Sequence, residues 1–162
     1  MKKMFAILTI GVLFVSCSSC EKTPVALSSA EDQLQNSTNP TTILMGSAYE
    51  LISYNGKTIT DSTIKGYLSW SNQNKLMASF CNKLSATAEL KAGIIKSNVS
   101  STKMACSNQS LMNIENTFTQ GLSEGMTLAL KANKNNAKQN DLYFTTNKGE
   151  TLVFEWQAQF ME

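Results

Sequence analysis

A single segment of the chain has helical spacing, and it stands among many short apolar runs with the two-residue period of strands. Over residues 108–122, apolar side chains recur every three or four positions, as they do along one face of a helix. Ser107 or Asn108 can cap the first turn, and Gly121 and Gly125 mark the end. The spacing predicts one helix of roughly 12–15 residues packed on a sheet.

The remaining apolar runs predict the sheet. Asn55-Gly56 is a tight-turn signal between two runs, and in residues 126–130 the large apolar side chains Met126, Leu128 and Leu130 fall on one face. One helix among many short strands is typical of an α+β fold with antiparallel pairing. We therefore predict a mostly antiparallel β-sheet or open barrel of short strands with one packed α-helix. The predicted strands are 48–54, 57–59, 64–71, 76–80, 86–90, 93–99, 126–130, 142–144 and 152–156.

Large apolar side chains in these runs predict the core. Aromatic residues in strands more often pack in a sheet core than line a ligand groove, and methionines usually fill gaps in a core. The aromatic set is Trp70, Trp156, Phe144, Phe154 and Tyr67, and the methionines are Met45, Met77, Met104, Met112 and Met126.

The first 17 residues have the pattern of an export signal. Lys2 and Lys3 are followed by an apolar run over 5–15, which is shorter than the roughly 20 residues of a transmembrane helix. Phe14-Val15-Ser16-Cys17 resembles a bacterial lipobox, in which the cysteine receives a lipid. We predict a lipoprotein signal peptide over 1–16 and a membrane anchor on Cys17. An ordinary cleaved signal with a chance cysteine is the alternative.

A polar segment separates this signal from the rest of the chain. Residues 18–43 are rich in Ser, Thr, Asn and Gln, contain both prolines and show no apolar period. Such a composition cannot bury enough apolar surface to form a core. We predict a flexible tether over 17–43 and a single domain over 44–162, which is long enough for one core.

Composition excludes several kinds of site. The chain has no His, and none of its 14 basic residues is Arg, which excludes His-based triads, imidazole-ligated zinc and guanidinium clamps. Without Lys2 and Lys3, 12 basic residues balance 12 acidic ones, so no positive excess favours nucleic acid. No carboxylate pair has a spacing that indicates acid–base catalysis. We predict a noncatalytic protein with no cofactor, no metal and no nucleic-acid partner.

Two short motifs carry a family resemblance. Phe80-Cys81-Asn82 follows one predicted strand, and Thr102-Lys103-Met104-Ala105-Cys106 precedes the helix, which contains Glu115. This order is similar to that of the META domain family, also called HslJ-like, over residues 47–155. The family usually has Gly where Phe80 stands. The positions matching the family motifs are Asn82, Thr102, Lys103, Met104, Ala105 and Glu115.

The resemblance implies a compact antiparallel fold with one helix across it, and a place among bacterial envelope lipoproteins. Family proteins have been linked to heat shock, envelope stress and drug resistance, and no catalytic residue can be carried over. We therefore expect a lipid-anchored envelope protein, on the periplasmic or surface face of the outer membrane, that binds an unknown protein or envelope component. The alternative is an exported inhibitor of a protease or other hydrolase, with the polar loop over 133–141 as its candidate contact.

Three motif residues have a structural role to test. Cys81 and Cys106 lie 25 positions apart, and an exported chain meets an oxidising compartment, so they can form a disulfide if the motifs are neighbours. Two buried free thiols or a redox or metal site are the alternatives. Glu115, a helix residue with apolar neighbours, is expected to bond to strand backbone.

Overall fold

The computed structural model describes Leu44 and residues 46–71 and 74–157. The predicted signal peptide, the tether and Cys17 lie outside the described residues. Within them, strands and one helix form an α+β fold, as predicted. The strands are β1 (Ala48–Tyr54), β2 (Lys57–Thr58), β3 (Tyr67–Trp70), β4 (Lys75–Ser79), β5 (Lys83–Thr87), β6 (Glu89–Lys91), β7 (Ile94–Lys96), β8 (Val99–Ser101), β9 (Met126–Ala132), β10 (Asn140–Thr145) and β11 (Thr151–Gln157), and the helix is α1 (Gln109–Glu124).

The strands form one antiparallel sheet that curls into a half-barrel. Its order is β6-β7-β9-β10-β11-β1-β3-β4-β5-β8, and the short β2 pairs with β1. The turn between β1 and β2 is Asn55-Gly56, and both residues have positive φ, at 49° and 74°. This is the left-handed conformation that a two-residue hairpin requires, so the predicted tight turn is confirmed.

A long bent hairpin over residues 83–101 joins the two edges of the sheet. In its base, β5 pairs with β4 and with β8, whereas in its tip β7 pairs with β6 and with β9. At the bend, the Ser97 hydroxyl donates to the carbonyl of Thr87, 2.7 Å away. The predicted turn at residues 91–93 is confirmed, since Ala92 and Gly93 have positive φ between β6 and β7. The two predicted strands, 86–90 and 93–99, are each broken in two by the bend.

The helix is longer than the sequence predicted. It has 16 residues, and Asn108 is its N-cap, since its Oδ1 accepts the backbone N–H of Leu111 at 3.0 Å. At the other end, the N–H of Gly125 donates to the carbonyl of Gly121. In the part of the chain that the structure describes, no helix is long and apolar enough to cross a membrane.

The helix lies across one end of the half-barrel. Tyr54, at the end of β1, has its hydroxyl 3.0 Å from that of Thr117 in the helix. Inside, the Phe118 ring lies 5.4–5.8 Å from the rings of Phe80, Phe144 and Phe154. We call this the helix end. The opposite end, formed by Leu44, residues 46–47, the 133–139 loop and Gln157, is called the entry end.

The predicted core is confirmed for most of the large side chains. Trp70, Phe144, Phe154 and Met126 are buried, and Trp156 packs against the core. Two predicted core methionines are wrong: Met77 is 49% exposed and Met104 is 60% exposed. Met77 lies on the outer face of β4, which alternates exposed and buried positions, and Met104 lies in an exposed segment without regular secondary structure.

Candidate functional site

The two family motifs meet at the buried side chain of Asn82, in the turn between β4 and β5. Its Nδ2 donates to Oε1 of Glu115 and its backbone N–H donates to Oε2, both at 2.7 Å. Its Oδ1 accepts the backbone N–H of Met104 at 2.7 Å and the hydroxyl of Thr102 at 3.1 Å. One amide thus joins the turn, the helix and the segment that precedes the helix.

Two further links hold the same segments together. Thr102 pairs with Lys83, since its hydroxyl accepts the backbone N–H of Lys83 at 3.0 Å and its own N–H donates to the Lys83 carbonyl at 3.1 Å. Cys81 and Cys106 form a disulfide whose Cα atoms are 5.8 Å apart. The structure thus contains the pairing that the sequence left open among three alternatives.

The polar groups of the buried residues Asn82 and Glu115 form hydrogen bonds within the domain. Glu115 is 5% exposed, and each of its oxygens accepts a short hydrogen bond from Asn82. A buried carboxylate is tolerated when it is hydrogen-bonded in this way. Glu115 was expected to bond to strand backbone; the backbone N–H that it accepts belongs to Asn82, in the turn between β4 and β5. By contrast, Lys103, Met104 and Ala105 are exposed. The motifs therefore contain two kinds of position: Asn82 and Glu115 are buried and hydrogen-bonded, whereas Lys103, Met104 and Ala105 are exposed.

A second buried polar cluster, at the entry end, was not expected from the sequence. Asp141 accepts from Nδ2 of Asn133 at 2.7 Å and from the backbone N–H of Trp156 at 3.0 Å. Oδ1 of Asn133 accepts the backbone N–H groups of Asn135 and Asn136, both at 2.8 Å. Asn is common in such turns, so the run of asparagines was the available signal. The cluster fixes the 133–139 loop, which ends where β10 begins.

Tyr49 lies close to this cluster. Burial raises the pKa of Tyr49 to about 12; a hydrogen bond with Ser47 opposes the rise, and the negative charge of Asp141 adds to it. The indole N–H groups of Trp70 and Trp156 are buried and have no hydrogen-bond partner within the described structure. These groups belong to the interior of the barrel rather than to an open site.

Among the described residues, the surfaces that could bind a partner include three shallow concave ones. One of about 320 Å³ lies between the β1–β2 hairpin and the helix, and includes Ile59, Ile64 and Ile114. Another of about 380 Å³ lies on the outer face of the sheet beside Tyr67 and Met77. A third, of about 740 Å³, lies over the disulfide. Among the described residues, no three His, Cys, Asp or Glu side chains are grouped as metal ligands would be.

Comparison with known proteins agrees with this architecture. The chain is 28% identical to "Heat shock protein HslJ" of Escherichia coli (strain K12) over 135 residues, which cover 83% of this chain and 86% of that protein. An NMR structure 27% identical in sequence superposes with a TM-score of 0.58, covering 69% of this chain and 90% of that one.

An NMR structure of a protein from Burkholderia xenovorans, 17% identical, shares the fold with a TM-score of 0.58, covering 74% of this chain and 87% of that one. The META domain family matches residues 42–159, which include both motifs and the whole described sheet. The chain belongs to the META domain family.

Proposed function

We propose that this chain is a noncatalytic, lipid-anchored protein of the bacterial cell envelope, and that its META domain binds a protein or envelope component. One observation carries the proposal. The buried polar groups of the family motifs, on Asn82 and Glu115, bond to the fold itself. The motifs therefore support a rigid scaffold, and binding falls to the exposed surfaces around it.

The sequence before the domain supports the anchor. Cys17 follows an apolar run and a small residue, as a lipidated cysteine does, and positions 18–43 separate it from Leu44. Several acyl chains, each contributing about 0.8 kcal/mol per buried CH₂, hold a protein stably on a bilayer. A role in envelope stress is supported by the name of the Escherichia coli relative, which describes a heat shock protein.

Metabolic labelling with a fatty acid tests the anchor. The wild-type chain should incorporate the label, and Cys17→Ala should not. Cys20→Ala is the matched control, because Cys20 lies three positions further along the same segment, and it should keep the label. Equal labelling of Cys17→Ala and wild type would refute the anchor.

A deletion strain tests the stress role. Loss of the gene should increase sensitivity to heat and to antibiotics that act on the envelope, and the wild-type gene should restore resistance. A complementing gene with Cys17→Ala should restore less, since the protein would lack its lipid. Unchanged sensitivity of the deletion strain would count against the role.

A second function, inhibition of an extracellular hydrolase, is favoured by the fixed 133–139 loop. Asn133 orders this loop before any partner binds, and preorganisation strengthens binding because less entropy is lost. Inhibition should appear in a panel of serine, cysteine and metalloproteases, and should weaken when Lys134 or Lys138 is replaced by Ala. Absence of inhibition across the panel would reject this function.

A further inference from the structure

We propose that the entry end of the barrel docks on the anionic phospholipid head groups of the membrane that holds the anchor. This inference rests on the proposed lipid anchor, and it assigns the domain an orientation on that membrane. Three features of the described residues support it: where the chain enters the barrel, which charges surround that point, and how the adjoining loop is held.

The chain enters the barrel beside the 133–139 loop. The backbone N–H of Gly46 donates to the carbonyl of Trp70, the last residue of β3, at 2.9 Å. Strand β1 begins next to the end of β11, since Ala48 pairs with Gln157. The loop joins β9 to β10 at this same end, because neighbouring strands in the sheet are antiparallel. A tether from Cys17 therefore reaches the domain at the end that carries the loop.

The entry end and the strand ends next to it carry exposed lysines. Lys134 and Lys138 lie in the loop, Lys75 begins β4, and Lys131 lies near the end of β9 with its Nζ 4.2 Å from the centre of the Tyr143 ring. None of these lysines forms an ion pair with a described residue.

Among the residues that the structure describes, the nearby acids do not cancel this charge at the tip of the loop. Asp141 is buried and accepts two hydrogen bonds. Glu89 is paired with Lys91 at 3.0 Å. Glu50 and Glu155 lie opposite each other on the outer face of the sheet, where β1 pairs with β11, and not in the loop. The loop therefore presents positive charge outward, and its fitting partner is a negatively charged surface.

The backbone that carries these lysines is held in place. The N–H of Asn133 donates to the carbonyl of Gln139 at 2.8 Å, closing the loop at its base. The N–H of Gln139 donates to the carbonyl of Asn136 at 2.9 Å, and that of Lys138 to the Asn136 side chain at 3.1 Å. Docking would therefore require little further ordering of the loop backbone, and this small loss of entropy favours binding.

Each lysine at an anionic bilayer strengthens binding by about fivefold. A few lysines bind a free protein weakly but measurably at high lipid concentration, and a chain already anchored at Cys17 is kept close to the surface, where such weak contacts are sufficient. The docking would therefore orient the domain, with its helix end directed away from the membrane.

Vesicle cosedimentation tests the docking separately from the anchor. The mature chain from residue 17, made with Cys17→Ser so that it cannot carry lipid, is mixed with phosphatidylcholine vesicles with and without one-third phosphatidylglycerol. A variant with Lys134→Gln and Lys138→Gln is compared with a matched variant, Lys57→Gln and Lys65→Gln, which removes the same charge at the helix end.

We expect the Cys17→Ser chain to bind the anionic vesicles and not the neutral ones. Its affinity for the anionic vesicles should be about 30-fold lower in the loop variant and unchanged in the helix-end variant. Thermal unfolding of both variants verifies that they fold. No binding to anionic vesicles, equal binding to neutral ones, or equal losses in the two variants would overturn the docking. Failure of the anchor would appear independently, as unchanged fatty-acid labelling of Cys17→Ala.

Discussion

Replacing Glu115 by Gln tests whether the motif cluster holds the fold together. The side chains are nearly the same size, so packing is preserved and the hydrogen-bond pattern alone changes. Both carboxylate oxygens of Glu115 accept from donors of Asn82 at 2.7 Å. A Gln side chain has one oxygen and one NH₂ group, so one of the two Asn82 donors would face another donor.

The size of the effect follows from these contacts. A hydrogen bond to a charged group contributes about 1.5–3 kcal/mol, and a buried donor left without a partner costs a further 1–3 kcal/mol or so. Part of this loss of stability is offset, because the buried charge is removed and the cost of desolvating the carboxylate on folding is then absent. We expect Glu115→Gln to lower the free energy of unfolding by about 3 kcal/mol, a large share of the typical 5–15 kcal/mol.

Urea unfolding, followed by tryptophan fluorescence with the disulfide intact, measures this change. With a slope of about 2 kcal/mol per molar urea, the midpoint should fall by about 1.5 M. Glu124→Gln is the matched control, because Glu124 lies on the same helix but is exposed, and its midpoint should stay near that of wild type. An unchanged midpoint for Glu115→Gln would refute the claim that the carboxylate stabilises the fold.

Three further perturbations test other parts of the structure. Alkylation and peptide mapping under denaturing, non-reducing conditions should recover Cys81 linked to Cys106, and reduction should lower stability by about 3 kcal/mol for a separation of 25 residues; full alkylation of both thiols would contradict the pairing. Gly66→Ala should destabilise by about 1–3 kcal/mol, because its Cβ would lie 2.6 Å from the buried Phe80 ring, and an unchanged melting temperature would show that the ring can move. Because burial raises the pKa of Tyr49 to about 12, this residue should ionise last in a titration at 295 nm, and Tyr49→Phe should remove that final step. Its contribution to stability is present below about pH 10 and is lost as the pH rises towards 12, so wild type should lose stability over that range more steeply than Tyr49→Phe.

Elements with a strong local signal could be predicted from the sequence. The apolar spacing and the cap at Asn108 identified the helix, and Asn55-Gly56 identified a turn, because these signals depend on neighbouring residues only. The helix runs on to Glu124 because the residue that ends it is Gly125, its C-cap, which has a φ of 100°. Gly121, the other predicted end signal, lies inside the helix, where its lack of a side chain leaves room for Thr146 and Met126.

Features that depend on distant contacts could not be predicted in the same way. Neither the bend in the hairpin nor the pairing of its tip with β9 has a local signal, because both depend on which strand lies alongside. Asp141 is polar in a polar stretch, and its burial follows from its bond to the backbone of Trp156, 15 positions away. The motif residues were found through the family resemblance, whereas their arrangement around Asn82 required the structure.

The position of the two motifs gives them a structural role in this domain. They bracket the hairpin over 83–101: the first ends at Asn82 and the second begins at Thr102. The hairpin pairs with β4 at its base and with β9 at its tip. The strand pairs within the hairpin therefore do not by themselves fix the angle between the hairpin and the sheet. The bonds of Asn82 to Glu115 and Met104, with the disulfide beside them, fix both ends of its base to the helix and so set that angle.

Loss of the cluster should therefore open the barrel at β7 and β9 before it disturbs β10 and β11, and hydrogen exchange in Glu115→Gln should increase first in the hairpin tip. Uniformly faster exchange across the sheet would instead mean that the cluster stabilises the domain as a whole.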